Sequence, residues 1–154
     1  VLDTYQSLLN KVYNLLDEAQ IKRIVEKLRM AKRVYVCGRG SSGLAAEEMA
    51  TRFRWIGIDM VALRDNENIK MQSVFLNPQN LVIGLSLSGT KSEVLYMLAR
   101  GCRQGADTIL ITEKNRKSYE DFCREVILVP SLQHLNHGNL ISPQFPLLMM
   151  IDII

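Results

Sequence analysis

The sequence predicts one α/β domain, a three-layer αβα sandwich built on a five-stranded parallel sheet and entered through a helical arm. Beyond residue 33, short apolar runs alternate with amphipathic segments, which is typical of repeated strand–helix units and a parallel sheet. In the stretch before residue 33, apolar residues recur at helical spacing. The length of 154 residues suits one domain of ordinary size.

The arm is assigned to residues 1–30 and the α/β domain to residues 31–154. The first helix of the arm has an apolar face made of Val1, Tyr5, Leu8, Leu9, Val12 and Leu16. A second helix is expected to start near Asp17, with Gln20 completing a capping-box pattern.

Five apolar runs are short and rich in β-branched residues, as strands covered on both faces are. They are Val34–Cys37, Ile58–Leu63, Leu81–Leu85, Thr108–Ile111 and Val126–Val129. We expect the flavodoxin-like order 2-1-3-4-5, in which the first and third strands are neighbours.

The segments between these runs are predicted to be helical at residues 43–56, 66–76, 91–104 and 117–124. Gly57 and Gly105 stand where helix C-terminal caps are expected. Ser142 and Pro143 are predicted to open the last helix, with the serine as N-cap and the proline in the first helical position.

Composition excludes several classes of function. The net charge of +3 is spread along the chain without a Lys/Arg block, so the domain itself is not expected to bind DNA. No apolar run approaches the roughly 20 residues that span a bilayer, which argues against a membrane role. Three cysteines without a CxxC pair argue against a disulfide framework and favour a cytoplasmic location.

Neither a cofactor nor a metal is expected. His134 and His137, the only histidines, occupy a polar loop without an accompanying carboxylate, and a loop does not direct both rings toward one ion as a helix does. Cys37 ends the first strand beside a glycine-rich turn, where a helix dipole could lower the pKa of its thiol. Burial in the strand is the favoured interpretation of this cysteine.

Both ends of the sequence suggest a piece of a longer protein. The chain begins at Val1 without a methionine, and it stops inside the apolar run Phe145–Ile154. We therefore expect further sequence on either side.

The turn after the first strand, Gly38–Gly43, has the sequence Gly-Arg-Gly-Ser-Ser-Gly. Such a turn lets backbone N–H groups converge on an anion, and the helix that follows adds a partial positive charge. The glycine spacing also fits a dinucleotide-binding fingerprint, with Asp65 near the position of its ribose-binding carboxylate. A simpler explanation makes Asp65 the N-cap of the next helix.

A second hydroxyl-rich turn, Ser86–Thr90, follows the third strand. In the expected strand order this turn faces Gly38–Gly43 across one crevice. Hydroxyl groups of both turns can donate to phosphate oxygens, while two helix N-termini stabilise the negative charge. A single serine is explained by capping alone, but the two turns together predict a phosphate site.

These turns resemble those of the sugar isomerase (SIS) domains, marked by G-x-G-x-S after one strand and S-x-S-G-x-T after another. The resemblance covers about residues 20 to 154 and implies phosphosugar binding. The expected binding residues are Gly40, Ser41, Ser42, Ser86, Ser88, Gly89, Thr90 and Lys91. Lys91 stands where the second motif usually has threonine, and it either meets the phosphate or points to solvent.

Three further stretches resemble the effector domains of RpiR-type bacterial transcriptional regulators. They are Ala31–Tyr35, Arg54–Gly57 and Gly138–Leu147. The resemblance implies a preceding helix-turn-helix domain that would carry any DNA binding, a phosphosugar as the signal, and a homodimer or higher homo-oligomer. In such a pair either histidine could contact a ligand across the interface.

The alternative, a phosphosugar isomerase or lyase, needs a positioned base. Glu47, Glu48 and Glu93 are the candidates, and each is explained as well by a solvated helix face or a favourable place near a helix N-terminus. Where similar phosphoheptose isomerases have a catalytic glutamate, this chain has Thr51 and Arg52. We assign no catalytic residue and favour the sensor.

Overall fold

A computed structural model describes residues 2–131 and 142–154. Its five strands form one parallel sheet in the order β2-β1-β3-β4-β5, which confirms the predicted order. The strands are β1 (Arg33–Gly38), β2 (Met60–Leu63), β3 (Asn80–Leu85), β4 (Asp107–Thr112) and β5 (Glu125–Leu128).

Six α-helices lie before, between and after the strands of the described chain. They are α1 (Leu2–Leu15), α2 (Glu18–Met30), α3 (Gly40–Trp55), α4 (Asn66–Ser73), α5 (Ser92–Arg103) and α6 (Phe145–Ile153). A 3-10 turn covers Lys117–Asp121. Within the described ranges, no helix combines the length and apolar character needed to cross a bilayer.

Successive residues of β1 face opposite sides of the sheet, and this alternation divides the core in two. Val34 and Val36 pack in a cluster with apolar residues of α2, α3 and α6. Tyr35 and Cys37 pack on the other face in a cluster with apolar residues of α4 and α5. The predicted αβα sandwich is therefore confirmed.

The two arm helices pack differently. Leu8 and Val12 of α1 bury against Met149 of α6 in a small cluster of their own. In α2, Ile24 and Leu28 belong to the main core and are nearly inaccessible to solvent. Removal of α2 would therefore expose the core of the sheet.

A polar stripe on α2 joins the arm to the N-terminal edge of the sheet. Arg23 donates two hydrogen bonds to Glu125, Lys27 lies 2.7 Å from Asp107, and Gln20 donates to the carbonyl of Val126. The hydrogen bonds from Arg23 hold the pKa of the Glu125 carboxyl below its usual range.

Several predicted boundaries need correction. Helix α3 begins at Gly40 rather than residue 43, so Ser41 and Ser42 lie in its first turn. The helix predicted at 117–124 is only the 3-10 turn, in which Tyr119 is buried and donates to the carbonyl of Gly89. Gly57 and Gly105 do follow helix ends with positive φ, as expected.

The last helix starts two residues later than predicted. Gln144 is its N-cap, and the carbonyl of Ser142 accepts from the amide of Phe145 in the preceding turn. Pro146 rather than Pro143 occupies the first helical turn, where its missing N–H costs nothing.

Candidate functional site

A cleft of about 270 Å³ opens at the C-terminal edge of the sheet, where β1 and β3 end side by side. Its lining residues are Arg39, Gly40, Ser41, Ser42, Ser86, Leu87, Ser88 and Lys91. Gly89 and Thr90, also predicted as binding residues, lie in the same turn as Ser88. The two hydroxyl-rich turns thus meet across one cleft, as neighbouring parallel strands require.

The first turn brings helix α3 very close to the end of β1. A Cβ on Gly38 would lie 2.6 Å from the carbonyl oxygen of Ser42, so only glycine fits there. Gly40 then adopts φ +56°, a left-handed conformation that favours glycine. Together these glycines place Ser41 and Ser42, both half-buried, at the wall of the cleft.

Both helices at the cleft begin with a basic residue in the N-cap position. Arg39 caps α3 and Lys91 caps α5, and neither side chain caps the helix by a hydrogen bond. The amides of Gly43 and Leu95 donate to the carbonyls of the two N-cap residues, as the first backbone hydrogen bonds of each helix. The earlier N–H groups of α3 are therefore suited to bind an anion. At α5 the Glu93 amide already bonds to the carboxylate of its own side chain, which leaves fewer free donors.

The second turn uses its own amides internally. The hydroxyl of Ser86 accepts from the amide of Gly89 at 3.1 Å, and that of Ser88 accepts from Thr90 at 3.3 Å. The Ser88 and Thr90 hydroxyl oxygens are 2.8 Å apart. In that contact one hydroxyl donates to the other, so the pair keeps one hydrogen for a ligand. The turn thus offers O–H rather than N–H donors.

Distant residues hold the second turn in place. The Tyr119 hydroxyl donates to the carbonyl of Gly89 at 3.0 Å, and the Thr112 hydroxyl donates to that of Leu87 at 3.1 Å. Gly89 has φ +68°, and a Cβ there would lie 1.8 Å from the Tyr119 hydroxyl oxygen. Sequence reasoning missed Tyr119 and Thr112, because no local pattern shows which loop they contact.

Arg39 is a second residue that sequence reasoning missed as part of the site. Its guanidinium lies 3.4 Å from Glu93, in the first turn of α5, and so joins the two sides of the cleft. The signal was present, because arginine inside a glycine turn is an unusual choice for a helix N-cap. Lys91, which was named, is exposed at the opposite wall.

Asp65 is the N-cap of α4, as the simpler explanation predicted. Its carboxylate accepts from the backbone amide of Asn68 at 2.8 Å and from the Asn68 side chain at 2.7 Å. These bonds, the backbone one foremost, hold the pKa of Asp65 below its usual range. The carboxylate on which the dinucleotide interpretation depended is therefore explained by capping.

Cys37 is a buried strand residue, which is the interpretation that the sequence favoured. Its side chain is inaccessible and its Sγ lies 3.6 Å from the carbonyl oxygen of Ile83. Burial raises the pKa of the Cys37 thiol to about 12, so it is protonated at neutral pH and is not an activated nucleophile.

The three carboxylates considered as bases lie in different surroundings. Glu47 and Glu48 are exposed on α3. Glu93 is half-buried, and its own backbone amide foremost lowers the pKa of its carboxyl, away from the neutral range that suits a general acid or base. His134 and His137 lie outside the described residues. In residues 2–131 and 142–154, no group of three His, Cys, Asp or Glu side chains is placed to hold a metal ion.

Comparison with known proteins agrees with this geometry. The SIS domain family matches residues 27–151. An uncharacterized HTH-type transcriptional regulator of Haemophilus influenzae is 28% identical over 148 residues, which are 96% of this chain and 51% of the regulator. The chain thus spans about half the length of this relative.

Two solved structures share the fold. The sugar isomerase domain of the RpiR transcription factor of Sphaerobacter thermophilus has a TM-score of 0.88 at 21% identity, covering 99% of this chain and 84% of that one. The Vibrio vulnificus NanR protein complexed with ManNAc-6P has a TM-score of 0.84 at 21% identity, covering 97% and 58%. Fold, paired turns and family match agree: the chain belongs to the SIS domain family.

Proposed function

We propose that this chain binds a phosphosugar as the effector of an RpiR-type bacterial transcriptional regulator. The observation that carries the proposal is the cleft between β1 and β3, where two hydroxyl-rich turns and two helix N-termini with basic N-caps converge. A phosphate needs many donors and positive charge, and these elements supply both without a metal.

Each predicted residue has a role in this proposal. Gly40, Ser41 and Ser42 offer the amides and hydroxyls of the first turn of α3 to one side of the phosphate. Ser86 and the hydrogen-bonded pair Ser88 and Thr90 offer O–H donors from the other side, one of them from the pair. Gly89 gives their turn its shape. Lys91 adds a full positive charge at the cleft wall.

The surroundings of the candidate acidic residues favour a sensor over an isomerase. Glu93 pairs with Arg39 and has a lowered pKa. Thr51 and Arg52 lie on α3 at the position where similar phosphoheptose isomerases have a catalytic glutamate. The Haemophilus relative is named as a transcriptional regulator, and the NanR structure contains a phosphosugar. We therefore infer that this domain senses a phosphosugar and does not catalyse its conversion.

The same proposal covers the rest of the protein. Residues 1–30 would form an arm and residues 31–154 the effector domain, and a helix-turn-helix domain outside this chain would bind DNA. The protein would act in the cytoplasm as a homodimer or higher homo-oligomer. That the chain spans 51% of the Haemophilus regulator supports the existence of a separate DNA-binding part.

Thermal-shift screening against hexose and amino-sugar phosphates tests the proposal, followed by an isomerisation assay on every stabilising compound. A ligand at 100 times its Kd should stabilise the protein by about 2.7 kcal/mol. Stabilisation without turnover is the expected result. Measurable turnover would overturn the sensor in favour of the isomerase, and a lack of stabilisation by every phosphosugar would overturn the site.

Ser88→Ala removes one hydroxyl that the proposal gives to the phosphate. A hydrogen bond to a charged group contributes roughly 1.5–3 kcal/mol, so the affinity for the phosphosugar should fall about tenfold or more. Ser118→Ala is the matched control, because Ser118 is an exposed serine of the 3-10 turn. Titration calorimetry on both variants measures the effect, and equal affinities would contradict the assignment of Ser88.

A further inference from the structure

Arg39 and Glu93 form an ion pair across the cleft that is longer than the pair between Arg23 and Glu125. The Nη1 of Arg39 lies 3.4 Å from the Oε1 of Glu93, longer than the roughly 2.9 Å of a well-formed N–H···O bond. Arg23 and Glu125 instead share two hydrogen bonds, the shorter at 2.8 Å. The Arg39 guanidinium thus keeps most of its five N–H donors for another partner.

Glu93 does not depend on Arg39 to stay ionised. It stands in the first turn of α5, where a helix dipole favours a carboxylate, and Ser92 lies within 3.4 Å of its Oε2. The backbone amide is the foremost cause of its lowered pKa, ahead of Arg39. Releasing Glu93 from the pair therefore costs little, because the helix dipole, its own amide and Ser92 still stabilise the carboxylate.

A phosphate in the cleft would offer Arg39 a better partner. The fork of the guanidinium matches two phosphate oxygens at once, and a phosphate dianion carries twice the charge of a carboxylate. Arg39 already lines the cleft together with Ser41, Ser42 and Lys91. Its backbone is the N-cap of α3, so the side chain starts beside the amides that face the same anion.

From this arrangement we propose that Arg39 exchanges partners on ligand binding: it pairs with Glu93 in the empty site and turns to the phosphate of the bound sugar, with Glu93 as its competitor. This inference rests on the proposed function. It makes Arg39 a phosphate-binding residue. Glu93 then lowers the affinity for the ligand, because it competes with the phosphate for Arg39. Removal of the competitor should then strengthen binding, which a purely supporting role for the pair would not allow.

A double-mutant cycle tests the exchange, using titration calorimetry with inorganic phosphate and with the best phosphosugar from screening. Arg39→Ala should weaken both ligands about tenfold or more, since a bond to a charged group is lost. Arg39→Lys should retain only part of the binding, because an ammonium lacks the fork. Glu93→Gln should tighten both ligands severalfold. In the Arg39→Ala background, Glu93→Gln should strengthen binding less, because only the direct repulsion between carboxylate and phosphate is then removed.

Arg23→Ala is the matched control, since it removes an arginine of a different ion pair on the far edge of the sheet. It should leave phosphate affinity unchanged. Weaker phosphate binding by Glu93→Gln, or normal binding by Arg39→Ala, would overturn the exchange. These outcomes require that the wild-type protein binds a phosphosugar; if it binds none, the proposed function itself fails.

Discussion

Helices α2 and α4 begin in one way and helices α3 and α5 in another. Asp17 and Asp65 cap α2 and α4 by accepting hydrogen bonds from the amides of Gln20 and Asn68. At α3 and α5 the same position holds Arg39 and Lys91, which have no acceptor to offer. Aspartate is among the preferred N-caps, whereas a cation near a helix N-terminus is unfavourable.

The difference shows at which helix starts the sequence lacks the N-cap residue that would stabilise the helix best. Both basic N-caps line the cleft between β1 and β3, and neither aspartate cap does. Helix α2 begins at the opposite edge of the sheet, whereas α4 begins at the same edge as the cleft, after β2. Helix α6 also lacks a side-chain cap, but Pro146 in its first turn removes one of the amides that would need a partner. Local rules are typically broken at functional sites, which supports the assignment of this cleft.

The largest expected effect concerns the turn before α5. Gly89→Ala should destabilise the protein by roughly 2–4 kcal/mol, from left-handed strain and from loss of the buried Tyr119 hydrogen bond. Gly57→Ala is the control, because Gly57 also has positive φ but no atom within 4 Å of an added Cβ. Urea unfolding of both variants measures the difference. Equal losses would show that Tyr119 does not hold this turn.

The sequence predicted the strands and their order well, because buried parallel strands leave strong local patterns, as in Leu81–Leu85. It also predicted most of the cleft, because serines and glycines mark both turns. Tyr119 escaped prediction, since its role depends on a hydrogen bond to Gly89, thirty positions away in the chain. The start of α3 was misplaced because Gly40 and two serines suggest a loop, whereas positive φ at Gly40 begins the helix directly.

Lys91→Ser converts one basic N-cap into a favoured one, and so tests the comparison from the functional side. The empty protein should gain up to about 1 kcal/mol of stability, while phosphosugar affinity should fall because a positive charge leaves the cleft. Lys22→Ser is the control: it removes an exposed lysine inside α2, where serine is the poorer helix former, and should slightly destabilise. Destabilisation by Lys91→Ser would break the comparison.

Asp17→Ala tests the comparison from the structural side. Loss of the bond to the Gln20 amide should cost about 1 kcal/mol of unfolding free energy, with phosphosugar affinity unchanged because α2 lies at the opposite edge of the sheet from the cleft. Asp17→Asn keeps the acceptor and should restore the stability. If Asp17→Ala also weakened ligand binding, the separation of capped helices from the functional site would be wrong.

The smallest expected effect is the pH dependence of the other aspartate cap. Because the folded protein lowers the pKa of Asp65, its contribution to stability is complete above the unfolded pKa of about 3.9 and is lost as pH falls through the folded value. Asp65→Asn also accepts the Asn68 amide bond but does not titrate. The two proteins should therefore diverge in their pH dependence only below about pH 4, where wild type loses the extra stability of the carboxylate. Unfolding midpoints measured from pH 3 to pH 7 provide the test. A difference that instead changed steadily across neutral pH would mean that Asp65 interacts with a group titrating there, and that capping is not its main role.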